Sequence, residues 1–114
     1  MNLTIEPATL APFEIWEVPL DDSTIKFNEP LVLEPYWLED DSDDPDDNEY
    51  LAVEYPDLDI ISWGRNRKEL WSCLRGDLRE AWTCFVRMPD DRLSKKGKKI
   101  KSAFLAIAEE VSDG

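Results

Sequence analysis

The densest group of residues that could do chemistry is the acidic run EDDSDDPDDNE at positions 39–49. Paired carboxylates can bind Ca²⁺ or serve as a general acid and base, and both roles require a defined placement. A calcium loop would begin with Asp41, Asp43 and an oxygen ligand at position 45, but position 45 is Pro and no glycine follows at the sharp turn. A run this charged repels itself and stays solvated. We therefore predict a flexible acidic loop at 39–49 that either is simply solvated or binds a basic partner.

The sequence lacks the residues that other catalytic mechanisms require. Histidine is absent, which excludes His-based triads, His metal sites and the commonest general base. Two cysteines without histidine make a poor zinc site. The four glycines form no phosphate-binding loop, and no serine lies in a nucleophile elbow. The sequence predicts a protein that is not an enzyme and that uses no cofactor and no metal.

The charge is strongly negative and unevenly distributed. The chain has 26 acidic and 13 basic residues, a net charge of −13, which argues against a generic binder of nucleic acid or of an anionic membrane. Residues 1–60 contain one basic residue, whereas residues 61–114 contain the other 12. A length of 114 residues with 42% hydrophobic content is typical of one domain with a real core. We expect a single domain over 1–114 with an acidic and a mildly basic face.

Targeting features indicate a cytoplasmic protein. No window approaches the ~18 apolar residues that a membrane span needs, and the N-terminus does not resemble a signal peptide. Cys73 and Cys84 would lie on one helix about 16 Å apart, well beyond the ~7 Å limit of a disulfide. Free thiols, expected here to be buried, are typical of a reducing compartment.

Two hairpins are predicted in the first half of the chain. Residues 12–27 read as a hairpin with a polar turn at 21–23, and residues 31–38 continue as a strand that Pro30 and Pro35 direct to a sheet edge or a bulge. Residues 50–63 read as a second hairpin with a Pro-Asp corner at 56–57.

Two helices follow. Asn66 is a suitable N-cap with Glu69 three residues later, so a long helix is predicted at 67–87, in which Gly76 would allow close packing on a sheet. Its apolar stripe consists of Leu70, Leu74, Leu78, Ala81, Trp82 and Phe85. Ser94 can cap a second helix at 94–111, although lysines crowd its N-terminus against the helix dipole. The prediction is an α+β fold: a small antiparallel sheet of about four to five strands packed by these two helices.

Residues 50–87 carry a spaced pattern: Pro56, Asp57 and Leu58 end one strand, Gly64 ends the next, and Glu69 lies in the first turn of the helix. This pattern resembles the HicB-like antitoxin domain. The resemblance implies a small β-sheet backed by a helix, and a toxin-binding function. Three departures are that Asn66 replaces the usual Thr or Ser cap, that residues 59–61 replace a Pro-Gly-Cys step, and that Leu70 replaces the alanine that usually follows the Glu.

These observations together predict an antitoxin-like inhibitor that binds and neutralises a basic, nuclease-type toxin. An acidic loop would steer association and buried tryptophans would anchor it, because Trp is enriched at interface centres. The residues predicted to bind the partner are Asp40, Asp41, Asp43, Asp44, Asp46, Asp47, Trp37 and Trp63.

Three alternatives stay open. An immunity protein or a nucleic-acid mimic would use the same charge physics. A nucleic-acid-binding regulatory module would use the basic 95–101 segment. The predicted contacts of such a module are Arg65, Arg67, Lys95, Lys96, Lys98 and Lys99. A homo-oligomer could also form through the oppositely charged faces, and no membrane contact is expected.

Overall fold

The computed structural model describes residues 10–39 and 49–112 and has the predicted α+β class. The elements are β1 (Phe13–Pro19), β2 (Ser23–Leu33), β3 (Tyr36–Glu39), β4 (Glu49–Tyr55), β5 (Ile60–Gly64), α1 (Arg67–Ala81), α2 (Lys95–Ile107) and β6 (Ala108–Ser112). The strands differ from the expected single sheet, because they form two three-stranded antiparallel sheets, β1-β2-β6 and β3-β4-β5.

The first sheet is built around the long strand β2. It pairs with β1 on one side and with β6 on the other, where Phe27 opposes Ala108. Ile15 opposes Leu31 but Glu17 opposes Lys26, so β2 has three more residues than β1 between the two pairs. Pro30 lies in this irregular stretch, where the sequence predicts a sheet edge or a bulge.

The second sheet begins where proline interrupts the chain. Pro35 separates β2 from β3, so the predicted strand at 31–38 is divided between the two sheets. The hairpin of β4 and β5 is confirmed. Its corner is a short 3₁₀ turn at Pro56–Leu58 followed by Asp59, whose left-handed φ of 55° reverses the chain.

The long helix α1 is confirmed, with its cap. The Asn66 side chain accepts a hydrogen bond from the backbone N–H of Glu69, and a π-helical turn at Trp82–Val86 extends the helix before Pro89. Leu70, Leu74 and Leu78 are fully buried and pack on the second sheet.

Two glycines near this helix behave differently. A Cβ atom at Gly64 would lie 2.5 Å from the backbone nitrogen of Leu70, so glycine is required for the close approach of β5 to the first turn of α1. Gly76 faces open space with nothing within 4 Å. The expectation that Gly76 allows close packing is therefore wrong.

The C-terminal helix is shorter than predicted. It begins at the Ser94 cap, whose hydroxyl accepts from the backbone N–H of Gly97, and it ends at Ile107 rather than at residue 111. Residues 108–112 form β6 instead, because the open edge of β2 offers them a ladder of backbone hydrogen bonds. This change also removes Glu109 and Glu110 from the negative end of a helix dipole, where they would be unfavourable.

One cluster of buried side chains joins both sheets to both helices. Phe104 of α2 lies at its centre, with its ring 4.9 Å from the Trp82 ring in an edge-to-face contact and 6.3 Å from the Phe27 ring. Within residues 10–39 and 49–112, no helix is long and apolar enough to span a membrane.

Candidate docking surface

The second sheet has one covered and one uncovered side. On the side under α1, Leu51, Val53 and Ser62 are fully buried. The opposite side carries the alternate residues, because successive side chains of a strand point to opposite faces. We call it the outer face, and it consists of Tyr36, Leu38, Tyr50, Ala52, Glu54, Ile61 and Trp63.

The outer face is apolar and aromatic although solvent reaches it. Trp63 is 52% exposed, Ile61 45% and Tyr36 37%. Tyr36 and Trp63 are the cross-strand neighbours of Ala52 on either side, and Ala52 itself is fully buried. The small, buried Ala52 therefore lies between two larger, partly exposed aromatic residues, and the outer face presents mostly apolar side chains.

Glu54 supplies a negative charge within this apolar surface. It lies two residues from Ala52 on β4 and directly opposite Ile61 on β5. The Tyr36 hydroxyl donates a hydrogen bond to the Glu54 carboxylate. Partial burial, followed by this hydrogen bond and the nearby negative charge, raises the pKa of Tyr36.

A groove of about 240 Å³ continues the surface at the corner between β4 and β5. Glu54 and Asp59 provide its charge, while Pro56, Ile60 and Ile61 provide its apolar wall. Asp59 also forms an ion pair of 3.1 Å with Lys96 of α2. The arrangement can bind a side chain that has an apolar stem and a cationic end.

The two predicted tryptophan anchors lie on opposite faces of the sheet. Trp63 opposes Ala52 on the outer face, whereas Trp37 opposes Leu51, which faces α1. Trp37 is nevertheless 44% exposed because it lies on the edge strand β3. One flat partner surface cannot cover both indole rings through the same face, so only Trp63 belongs to the outer face.

The predicted steering residues Asp40, Asp41, Asp43, Asp44, Asp46 and Asp47 lie outside the residues that the structure describes. The chain enters this segment from Glu39 and leaves it at Glu49, and these two residues oppose each other across β3 and β4. The two described ends of this segment therefore lie at one end of the sheet that carries the outer face.

The predicted nucleic-acid contacts are divided between two places. Arg67 is engaged with the N-terminal segment: its guanidinium lies 4.0 Å from the Phe13 ring centroid and donates to the carbonyl of Ala11 at 2.6 Å. Arg65 follows the end of β5, whereas Lys96 is paired with Asp59, which precedes its start. The two groups thus lie beyond opposite ends of β5, and Asp59 and Arg65 are six residue steps or about 20 Å apart along the strand direction.

The remaining predicted contacts, Lys95, Lys98 and Lys99, are exposed on the first turns of α2. Nearby, Lys101 forms an ion pair of 2.9 Å with Asp90. The hydrogen bond and charge of Lys101, with a smaller effect of Lys98, lower the pKa of Asp90. The basic helix is thus partly neutralised by carboxylates of the same molecule.

A second polar group fastens β6 to the end of α1. Glu110 accepts from the indole N–H of buried Trp82 at 2.6 Å and from Nε of Arg87 at 2.9 Å. Arg87 also donates to Ser23 at 3.2 Å. These bonds, with that of Arg87 the strongest, lower the pKa of Glu110. The group satisfies a buried indole and has a structural role.

The cysteine thiols and the carboxylates near them give no support to a catalytic or metal-binding site among the described residues. Cys73 and Cys84 are free, as predicted, but both are exposed, so the expectation that they are buried is wrong. The Cys73 thiol lies 3.6 Å from a carboxylate oxygen of Asp77, which accepts from the buried Ser62 hydroxyl at 2.5 Å. In the described part of the chain, no group of three or more His, Cys, Asp or Glu side chains could hold a metal ion.

Of the seven outer-face residues, sequence reasoning named only Trp63. The signal for three of the others was present in the hairpin at 50–63, where Tyr50, Ala52 and Glu54 alternate with the buried Leu51 and Val53. Tyr36 could not be assigned without the register of β3 against β4. Searches of protein-family models, curated proteins and solved structures found no match to this chain.

Proposed function

We propose that this chain is a non-enzymatic, cytoplasmic interaction protein, an antitoxin-like inhibitor that binds and neutralises a basic, nuclease-type toxin. The observation that carries the proposal is the exposed aromatic outer face on a protein with a net charge of −13. An apolar surface of this kind is typical of a protein contact, because exposed tryptophan and tyrosine side chains are the usual anchors of interfaces.

The charge supports a cationic partner. A strongly negative protein attracts a positive one over several ångströms, which raises the association rate and leaves affinity to the apolar anchors. Nuclease toxins carry positive surfaces because they bind phosphate backbones. An acidic inhibitor would cover such a surface and exclude the nucleic acid.

The resemblance at residues 50–87 supports the antitoxin class in particular. The residues that carry it occupy defined places: Pro56 begins the corner of the β4–β5 hairpin, Gly64 makes the close contact with α1, and Glu69 lies in its first turn. An immunity protein or a nucleic-acid mimic would use the same surface, and the partner's identity separates these possibilities.

The hypothesis that this chain is a nucleic-acid-binding module has less support. Of its six predicted contacts, Arg67 is engaged with Phe13 and Lys96 with Asp59. A gel shift with DNA and RNA at low salt tests it directly, because binding through phosphates weakens steeply as salt rises.

The proposal is tested by isolating the partner and measuring what this chain does to it. We expect a small basic protein that co-purifies with the tagged chain from source cells, stops growth when expressed alone, and loses nuclease activity at one equivalent of this chain. A partner that is acidic, or a basic one whose activity is unaffected, would contradict the proposal.

The steering role has its own test. Replacing the six aspartates at 40–47 by asparagine should slow association at low salt and leave dissociation nearly unchanged. An association rate that is equal in both proteins would remove the acidic segment from the mechanism, while the inhibition assay would still decide the function.

A further inference from the structure

We propose that the outer face binds an arginine side chain of the partner, with the guanidinium stacked on Trp63 and paired with the Glu54 carboxylate. This inference rests on the proposed function, because it names the contact through which a basic partner would be recognised.

The register places the two groups at a suitable separation. Glu54 opposes Ile61 and Ala52 opposes Trp63, so Glu54 and Trp63 are diagonal neighbours on adjacent antiparallel strands. Diagonal positions lie about 7–8 Å apart, within reach of long side chains. A guanidinium that hydrogen-bonds a carboxylate at about 2.8 Å can therefore also lie over the neighbouring ring.

Glu54 keeps bonding capacity for such a ligand. Tyr36 donates one hydrogen bond to it, but an ionised carboxylate has about four lone-pair positions. Tyr36 and Trp63 lie on the two strands that flank β4, so Tyr36 approaches Glu54 from the strand opposite to that of Trp63. Ile61 and the groove below it offer apolar surface to the aliphatic stem of an arginine.

The same combination of an aromatic ring and an oxygen acceptor around one guanidinium is seen elsewhere among the described residues. Arg67 lies over Phe13 at 4.0 Å from the ring centroid while its Nη1 donates to a carbonyl oxygen at 2.6 Å. That site combines a ring face with an oxygen acceptor for one guanidinium. The outer face presents the same pair of groups, with a stronger aromatic ring and a charged acceptor, and solvent reaches both.

A cationic ligand fits this surface better than a second copy of the chain. Face-to-face self-association would oppose two net charges of −13 and would place the Glu54 carboxylate of each copy in the interface. Arginine fits better than lysine because its planar group stacks on a ring and bonds a carboxylate through two N–H groups at once.

The test uses N-acetylarginine amide as probe, with N-acetyllysine amide beside it, titrated into the full chain at physiological salt and followed by ¹H–¹⁵N NMR. We expect millimolar binding of the arginine probe that shifts the Trp63 indole and the amides of β4 and β5. Glu54→Gln should weaken it about tenfold and Trp63→Ala about fivefold, and the lysine probe should bind several-fold more weakly.

The first sheet offers a matched control. Trp16 is 57% exposed and its indole N–H donates to Glu14 at 3.1 Å, so it is also a surface tryptophan beside a glutamate. Trp16→Ala and Glu14→Gln should leave the probe's affinity unchanged. Glu54→Gln alters one exposed side chain and keeps the inference testable even if Trp63→Ala unfolds.

Three results would overturn the inference: no shift at the outer face, equal shifts at Trp16 and Trp63, or outer-face shifts that depend on protein concentration without probe and so report self-association. The proposed function and the arginine site can be refuted independently of each other. If a toxin is inhibited equally well by the Glu54→Gln and Trp63→Ala variants, the arginine site is refuted and the inhibitor role stands.

Discussion

Alanine at Gly64 and alanine at Gly76 are expected to change the stability of this protein in opposite directions. The two glycines are twelve positions apart, and the same methyl group is added at both. Gly64 ends β5 beside the first turn of α1, whereas Gly76 lies on the exposed side of the same helix.

At Gly64 the added carbon meets backbone atoms. It would lie 2.5 Å from the Leu70 nitrogen, 2.8 Å from the Glu69 carbonyl carbon and 2.9 Å from the Glu69 Cβ. Backbone cannot rotate away, so the first turn of α1 must move off the sheet that it packs against. Overpacking of this kind costs about 1–3 kcal/mol, and the free energy of unfolding should fall by that amount.

At Gly76 the added carbon meets nothing within 4 Å. The remaining effect is the helix propensity, because alanine loses less backbone freedom than glycine on entering a helix. The free energy of unfolding should rise by about 0.5–1 kcal/mol.

Urea unfolding followed by far-ultraviolet circular dichroism measures both changes, with equal slopes as the check that the same transition is compared. A Gly64→Ala variant as stable as the wild type would refute the close approach of β5 and α1. A destabilised Gly76→Ala variant would show that this face of α1 is covered in solution.

Further predictions concern local contacts. Because bonds from Arg87 and Trp82 lower the pKa of Glu110, its contribution to stability is complete above its ordinary value of 4.5 and is lost as pH falls through the lowered value. Glu110→Gln should therefore be less stable than the wild type at neutral pH, and this difference should shrink as pH falls below 4.5, whereas Glu109→Gln should follow the wild type throughout. Asn66→Ala removes the cap of α1 and should lower the free energy of unfolding by about 1 kcal/mol, measured by the same urea titration, and an unchanged value would show that the cap contributes nothing.

The elements that the sequence predicts well are those set by local spacing. The Asn66 cap, the buried leucines of α1 and the Ser94 cap all depend on residues three or four positions apart. Such contacts form in any helix of that sequence, whatever the rest of the chain does.

The elements that differ depend on distant partners. Residues 108–112 continue a helical pattern, and only the free edge of β2, some 80 positions earlier in the chain, turns them into a strand. The division into two sheets follows from Pro35, which interrupts the chain without indicating that the next strand pairs elsewhere. No local pattern contains this information.

The composition of the outer face also depends on strand pairing that the sequence does not reveal. Trp37 and Trp63 are equally suitable anchors by residue type, but one position of register decides the face on which each lies. Trp37 opposes Leu51 and Trp63 opposes its neighbour Ala52, so the two rings point to opposite sides. Residue type made both tryptophans candidate anchors, and pairing determined which one shares a surface with Glu54.

The lysines at the start of α2 need no nucleic acid to account for them. Helices α1 and α2 carry nine of the 13 basic residues, and ion pairs of Arg79 with Asp21 and of Lys96 with Asp59 join these helices to the acidic half of the chain. Each lysine opposes the dipole of α2 by a few tenths of a kcal/mol. Each also lies in the field of a molecule with a net charge of −13, which favours any cation on its surface. The same field that stabilises these lysines within the molecule would draw a basic partner to the side that has no basic residues of its own, which is the outer face with Glu54.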